Sequence, residues 1–175
     1  MKALLSKGMA LLICLFIFTS MYAGDKVSFL KRQFTSSNGY KLNYRILYPV
    51  NYTPGKSYPV ILFLHGAGER GNDNEAQLVH GGDMLASYGN QSKYPAIVIA
   101  PQCPEGEKWA YYKQPSENNG IREFPVASAA TPAMNAIKEM LDCYISKGLV
   151  DTRRIYVTGL SMGGMGTFDA VCRYP

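Results

Sequence analysis

Ser161 sits at the centre of Gly159-Leu160-Ser161-Met162-Gly163. A serine hydroxyl becomes an effective nucleophile where the chain turns sharply around it, so that Oγ stands clear of its neighbours and meets a base and a set of N–H donors. Glycines two residues to either side suit such a turn, because they remove side chains that would collide where a strand folds back into a helix. As a bare pattern the motif arises by chance in about one chain in fifteen of this length, with glycine and serine each near 7% of residues. Its surroundings make it specific. Residues 154–158 (Arg-Ile-Tyr-Val-Thr) read as a strand, and residues 161–173 can form a helix that Pro175 closes. A helix starting there aims its first N–H groups and the positive end of its dipole at any oxyanion beside the serine. The N–H of Met162 is therefore expected to be an oxyanion donor, and Gly164 and Gly166 are expected to let the helix approach the sheet closely. The bland alternative is a glycine-rich turn in which Ser161 only caps the helix.

A second motif favours the chemical reading. His65-Gly66-Ala67-Gly68 ends another apolar run, and in a hydrolase of this type the loop after that strand supplies a further oxyanion N–H. His65 is expected to brace this loop and His80 to be a surface or loop-bracing residue, so neither is expected to be the catalytic base. A metal reading of Glu69, Asp73, His80 and Asp83 finds no helical two-histidine spacing to support it, and no metal or cofactor is expected.

The elements that position these motifs follow from the apolar pattern. Residues 27–34 and 40–48 flank Asn38-Gly39, a strong hairpin signal. Residues 59–65 and 96–100 are continuous apolar runs, as in strands buried on both faces, and 154–158 is read as a third of that kind. Thr131-Pro132 opens a helix with a cap and a first-turn proline. It carries Met134, Ile137, Leu141, Tyr144 and Ile145 at helical spacing and stops at Gly148. A further helix is expected over 82–88. The sum is an α/β fold with a mostly parallel sheet and an antiparallel N-terminal hairpin.

The residues from Leu64 to Asn74 (Leu-His-Gly-Ala-Gly-Glu-Arg-Gly-Asn-Asp-Asn), together with Gly-Leu-Ser-Met-Gly-Gly ending at Gly164, resemble the secreted esterases and predicted peptidases of the α/β-hydrolase superfamily, in its dienelactone-hydrolase and polyhydroxybutyrate-depolymerase branch. The resemblance runs from about Lys41 to the end. It implies an α/β-hydrolase fold, Ser161 as nucleophile, and the N–H groups of Ala67 and Met162 as the oxyanion hole. Dienelactone hydrolases carry cysteine at the position of Ser161, so that activity is not implied. The triad order of the fold is serine, then an acid, then histidine. After Ser161 the only acid is Asp169, on the helix following the nucleophile, and no histidine follows. The sequence is thus expected to be a fragment, incomplete at the C-terminus and nearly inactive as written.

Residues 101–130 form a long connection leaving the carboxyl end of a strand, where open α/β sheets bind ligands. Among Trp109, Tyr111, Tyr112 and Phe124, Trp109 is the expected substrate-contacting aromatic. Glu69 and Arg70 are expected to line the entrance.

Composition limits the remaining choices. Hydrophobic residues make up 47% and charged residues 18%, enough for one globular domain with a core. Residues 1–23 read as an export signal: Lys2 and Lys7, an apolar run over 9–18, then Thr19, Ser20 and Ala23. An uncleaved anchor is the alternative. Loss of Lys2 and Lys7 takes the net charge from +5 to +3. The basic residues left are scattered, which excludes a nucleic-acid stripe. The mature chain, residues 24–175, is expected outside the cytoplasm, secreted or periplasmic, with no membrane contact beyond the signal. Cys103, Cys143 and Cys172 remain; an odd count leaves at least one free or paired beyond this chain, and most are expected to be small buried side chains. The leading function is hydrolysis of a carboxylic ester, either a small molecule or a polysaccharide-linked one, through an acyl-enzyme on Ser161. A serine peptidase with the same machinery and a non-catalytic binding protein on the scaffold are the rivals.

Overall fold

The computed structural model describes residues 27–112 and 129–175; the proposed signal and Phe124 lie outside them. The hairpin expected around Asn38-Gly39 forms β1 (Leu30–Thr35) and β2 (Lys41–Leu47), paired antiparallel from Leu30 opposite Ile46 to Thr35 opposite Lys41. Its turn closes through Ser36, whose N–H donates to the Tyr40 carbonyl and whose carbonyl accepts from the Gly39 N–H. Leu42, Tyr44 and Ile46 alternate inward along β2, which fixes the register, since a slip of one residue would turn all three to solvent.

The apolar runs become β3 (Tyr58–Leu64), β4 (Ile97–Pro101) and β5 (Val150–Gly159). The sheet order is β1-β2-β4-β3-β5. β3 pairs parallel with both β4 and β5, and β2 joins β4 antiparallel. The parallel core therefore has β3 at its middle, and both chemical motifs leave its carboxyl end. The β3–β5 register jumps from Tyr58 opposite Val150 to Val60 opposite Ile155, a bulge that lengthens β5 at its start.

Both faces of the sheet are covered. On one lie α3 (Pro132–Ser146) and α4 (Met162–Arg173), packing Met134, Ile137, Met140, Met162 and Ala170 against Val60, Leu62, Leu64, Ile97 and Ile99. On the other, Leu85 and Ala86 pack on Leu47, Phe63, Val98 and Ala100. Thr131 caps α3 as expected: its hydroxyl accepts from the Met134 N–H at 3.1 Å, with Pro132 in the first turn. The helix expected over 82–88 is instead two short ones, α1 (Gly82–Ala86) and α2 (Tyr88–Lys93). Ser87 takes an extended conformation between them, and its hydroxyl caps α2 through the Asn90 N–H. Serine favours such a cap over a helix interior because its hydroxyl competes for backbone partners.

β5 differs from the expected doubly buried strand. It stands at the edge of the described sheet, with Tyr156 54% exposed and Arg153, Arg154 and Thr158 also exposed. Beside it, Leu141, Ile145, Ile155, Val157 and Tyr174 line a groove of about 390 Å³ between α3 and α4. The described cysteines form no disulfide. Cys103 is buried, as expected, whereas Cys143 is half-buried and Cys172 exposed; both lie toward the outer sides of α3 and α4.

Candidate active site

Ser161 lies between the last residue pair of β5 and the first turn of α4, exposed, with φ 51° and ψ −115°. A side-chain-bearing residue rarely holds such a conformation, which costs on the order of 1–3 kcal/mol and persists only where the surroundings over-determine it. They do so here. A Cβ on Gly159 would lie 2.6 Å from the carbonyl oxygens of Leu64 and Gly163. A Cβ on Gly163 would fall on the Leu64 carbonyl oxygen and 2.5 Å from its carbon. The two glycines thus let α4 fold back directly onto the end of β3. Gly166 continues the approach: a Cβ there would sit 2.5 Å from Trp109 Cβ and 2.9 Å from Leu64 Cδ1. Gly164 contributes nothing of this kind, since its Cβ would meet only the Gly159 carbonyl oxygen at 3.7 Å, an ordinary contact.

This close packing brings the two motifs together. The Leu160 N–H donates to the Leu64 carbonyl at 3.3 Å, and Leu160 Cδ1 lies 3.3 Å from where a Gly66 Cβ would be. Ala67 opens a 3-10 turn, Ala67–Glu69, and Met162 opens α4. As first residues of their helices, both have N–H groups without an intrahelical acceptor. Ala67 is exposed and Met162 buried.

His65 holds the loop from within. It is 1% exposed. Its Nδ1 lies 2.6 Å from the Gly66 carbonyl oxygen, and its Nε2 accepts from the Cys103 N–H at 2.9 Å. One nitrogen donates and the other accepts, which is the neutral imidazole with its proton on Nδ1. Burial pushes the His65 pKa below its ordinary value, outweighing the bond to Gly66 and the charge of Glu69. With both nitrogens engaged, His65 offers Ser161 no base. His80 is largely exposed, its Nε2 3.5 Å from Glu69 Oε1.

Trp109 requires a correction. Its indole has no exposed surface. Nε1–H donates to the His65 carbonyl at 2.9 Å, the ring stands edge-on to His65 with centroids 5.1 Å apart, and the Trp109 carbonyl accepts from the Thr131 hydroxyl. Trp109 is a strut beneath the site, filling the space that Gly166 leaves, and it does not present its ring to a substrate. Tyr111 is exposed, and Tyr112 lies under Lys108 with the ammonium 4.9 Å from the ring centre. Arg70 and Glu69 sit on the loop itself. Arg70 Nε donates to the Ala67 carbonyl at 2.9 Å and Nη1 to the Glu107 carbonyl at 3.3 Å. Glu69 folds its carboxylate over Gly66, with Oε2 buried, 4.0 Å from His65 Nδ1 and without a hydrogen bond among the described residues. Asp73 is committed to the Glu75 and Ala76 N–H groups, which hold its pKa below the usual carboxylate range. Among the described residues no three metal-ligating side chains converge.

Sequence reasoning overlooked Gln102. It is 1% exposed, and its carboxamide bonds Glu69, Asp73 and Asn74 at once. The available signal was a polar residue directly after a doubly buried strand, at the carboxyl end where the motifs converge.

Residues 35–175 match the model of the family described as Putative esterase. The chain belongs to this esterase family. The chain is also similar to a crystal structure of a thermostable esterase, 34% identical, with a TM-score of 0.70 over 84% of this chain and 38% of that one. A ferulic acid esterase is similar at 21% identity and a TM-score of 0.58, over 85% of this chain and 56% of that one. The dipeptidyl peptidase 4 of Porphyromonas gingivalis is similar at 19% identity and a TM-score of 0.52, over 85% of this chain and 19% of that one. These last two share the fold alone. No curated protein matches the chain. It spans 38% of the length of the thermostable esterase.

Proposed function

We propose that this esterase is a serine hydrolase that cleaves carboxylic esters through an acyl-enzyme on Ser161. The observation that carries the reading is the conformation of Ser161: a strained, exposed serine at a strand-to-helix turn, held there by two glycines whose side chains would not fit. Such strain has a use where Oγ must be presented and none where a serine merely caps a helix. In this reading Oγ attacks the ester carbonyl and its proton passes to a base. The carbonyl oxygen, now an oxyanion, is met by the N–H groups of Ala67 and Met162. The alcohol leaves with a proton returned from that base, and water then releases the acid by the same route.

The base and its acid partner belong, in this proposal, to residues beyond these 175. The chain has two histidines; His65 has both nitrogens engaged and His80 faces Glu69. The substrate is proposed to be a small or polysaccharide-linked ester, met outside the cytoplasm after removal of residues 1–23.

A fluorophosphonate probe and a p-nitrophenyl ester test the reading on the full-length protein beside Ser161→Ala. Labelling and turnover that vanish in the variant support it. A variant that still reacts with the probe removes Ser161 from the mechanism. Esters and matched amides offered to the same preparation separate an esterase from a peptidase, and an inert wild-type protein with native thermal unfolding favours a binding scaffold.

A further inference from the structure

We infer that Gln102 is a positioning residue for the oxyanion donor at Ala67, an inference that rests on the function proposed above. The segment from Gly66 to Gly68 is buried at Gly66, where Leu160 and Glu69 crowd it, and exposed at Ala67 and Gly68. It is strung between two anchored residues. His65, on one side, is fixed through the Cys103 N–H. Glu69, on the other, is fixed by its carbonyl, which accepts from Gln102 Nε2 at 3.2 Å.

The same carboxamide secures the rest of the loop. Gln102 Nε2 also donates to Asp73 Oδ1 at 2.8 Å, and Oε1 accepts from the Asn74 N–H at 2.7 Å. The Cys103 carbonyl takes the Gly71 N–H at 3.0 Å, and the Gln102 N–H donates to the Asn43 carbonyl at 2.8 Å, tying the pair to the hairpin. Residues 102 and 103 thus grip the loop after β3 at five points from the end of the neighbouring strand.

A glutamine suits this place for a physical reason. Its planar carboxamide presents two donors and an acceptor without charge, so it can be buried when all three are used. A leucine of similar size would leave the Glu69 carbonyl and the Asn74 N–H without partners. A glutamate would set a carboxylate against the Glu69 carbonyl and Asp73. The donors of an oxyanion hole contribute only when they are aimed in advance at the position the oxygen takes in the transition state. A small drift of Ala67 therefore costs rate rather than substrate affinity.

The experiment compares Gln102→Met, which keeps shape without polarity, with Gln102→Asn, which keeps the carboxamide but shortens its reach. Both are measured in the full-length protein on an ester and on its thionoester, where sulfur replaces the carbonyl oxygen. Expected is a kcat lower by about tenfold, a KM within about twofold, and a shrunken preference for the ester over the thionoester. A residue that only stabilises the fold would lower the melting temperature without moving that preference. Folded variants with unchanged kcat or an unchanged preference overturn the inference while leaving Ser161 in place. If neither variant folds, Gln102 is a folding residue and the inference falls. A wild-type protein without Ser161-dependent hydrolysis overturns this inference together with the proposed function.

Discussion

Replacing Gly163 by alanine separates the two reasons a glycine can be needed. Gly163 is helical, with no positive φ, so alanine suits its backbone and in an open helix would gain stability on the order of 1 kcal/mol. Space opposes it. The added methyl would lie 2.5 Å from the Leu64 carbonyl carbon and 2.9 Å from the His65 carbonyl oxygen, where ordinary contact begins at 3.4 Å. Those neighbours are backbone atoms at the end of β3 and of the residue after it and cannot rotate aside, so the start of α4 must retreat by about 1 Å. Overpacking of this kind costs about 1–3 kcal/mol, and a displacement of about 1 Å at a reacting group costs on the order of a hundredfold in rate. Gly163→Ala should therefore lower kcat on a p-nitrophenyl ester by about that factor and reduce stability in urea. Gly164→Ala, one residue along the helix and free of close contact, should retain the wild-type rate and melt no lower. Equal activity in the two variants, or equal damage, would refute the reasoning.

Other consequences are open to measurement. Trp109→Phe removes the donor to the buried His65 carbonyl, and urea unfolding should show a loss of about 1–3 kcal/mol with substrate KM little changed; a large rise in KM would return Trp109 to the substrate's side. Burial holds the His65 pKa below that of the unfolded chain, so the unfolded state binds the extra proton. That contribution to stability is complete above the unfolded value of about 6.5 and is lost as the pH falls through and below it. Urea midpoints measured from pH 8 to pH 5 should decline, and more weakly in His65→Gln.

The sequence made the strands legible because apolar runs and an Asn-Gly turn are local signals, and the nucleophile turn because glycine spacing reports a steric need within five residues. What escaped it was tertiary. Besides β1, the partner of β2 is β4, not β3, the next strand in sequence. The fate of Trp109 depended on residues 102–112 turning back under α4, where Gly166 leaves room for its ring. An aromatic on a long loop looks the same in sequence whether it meets solvent or supports the floor. Gln102 escaped for a similar reason, since its three partners lie 28 to 33 residues upstream.

The turn at Ser161 also has a bearing on how this protein is improved. Selection for heat resistance alone would reward glycine at 161, where a positive φ is free of steric penalty, and the molecule would grow sturdier while losing the hydroxyl on which the proposed chemistry depends. Engineering for endurance has to look away from that residue, to places such as Gly164 where rigidity and reactivity do not compete.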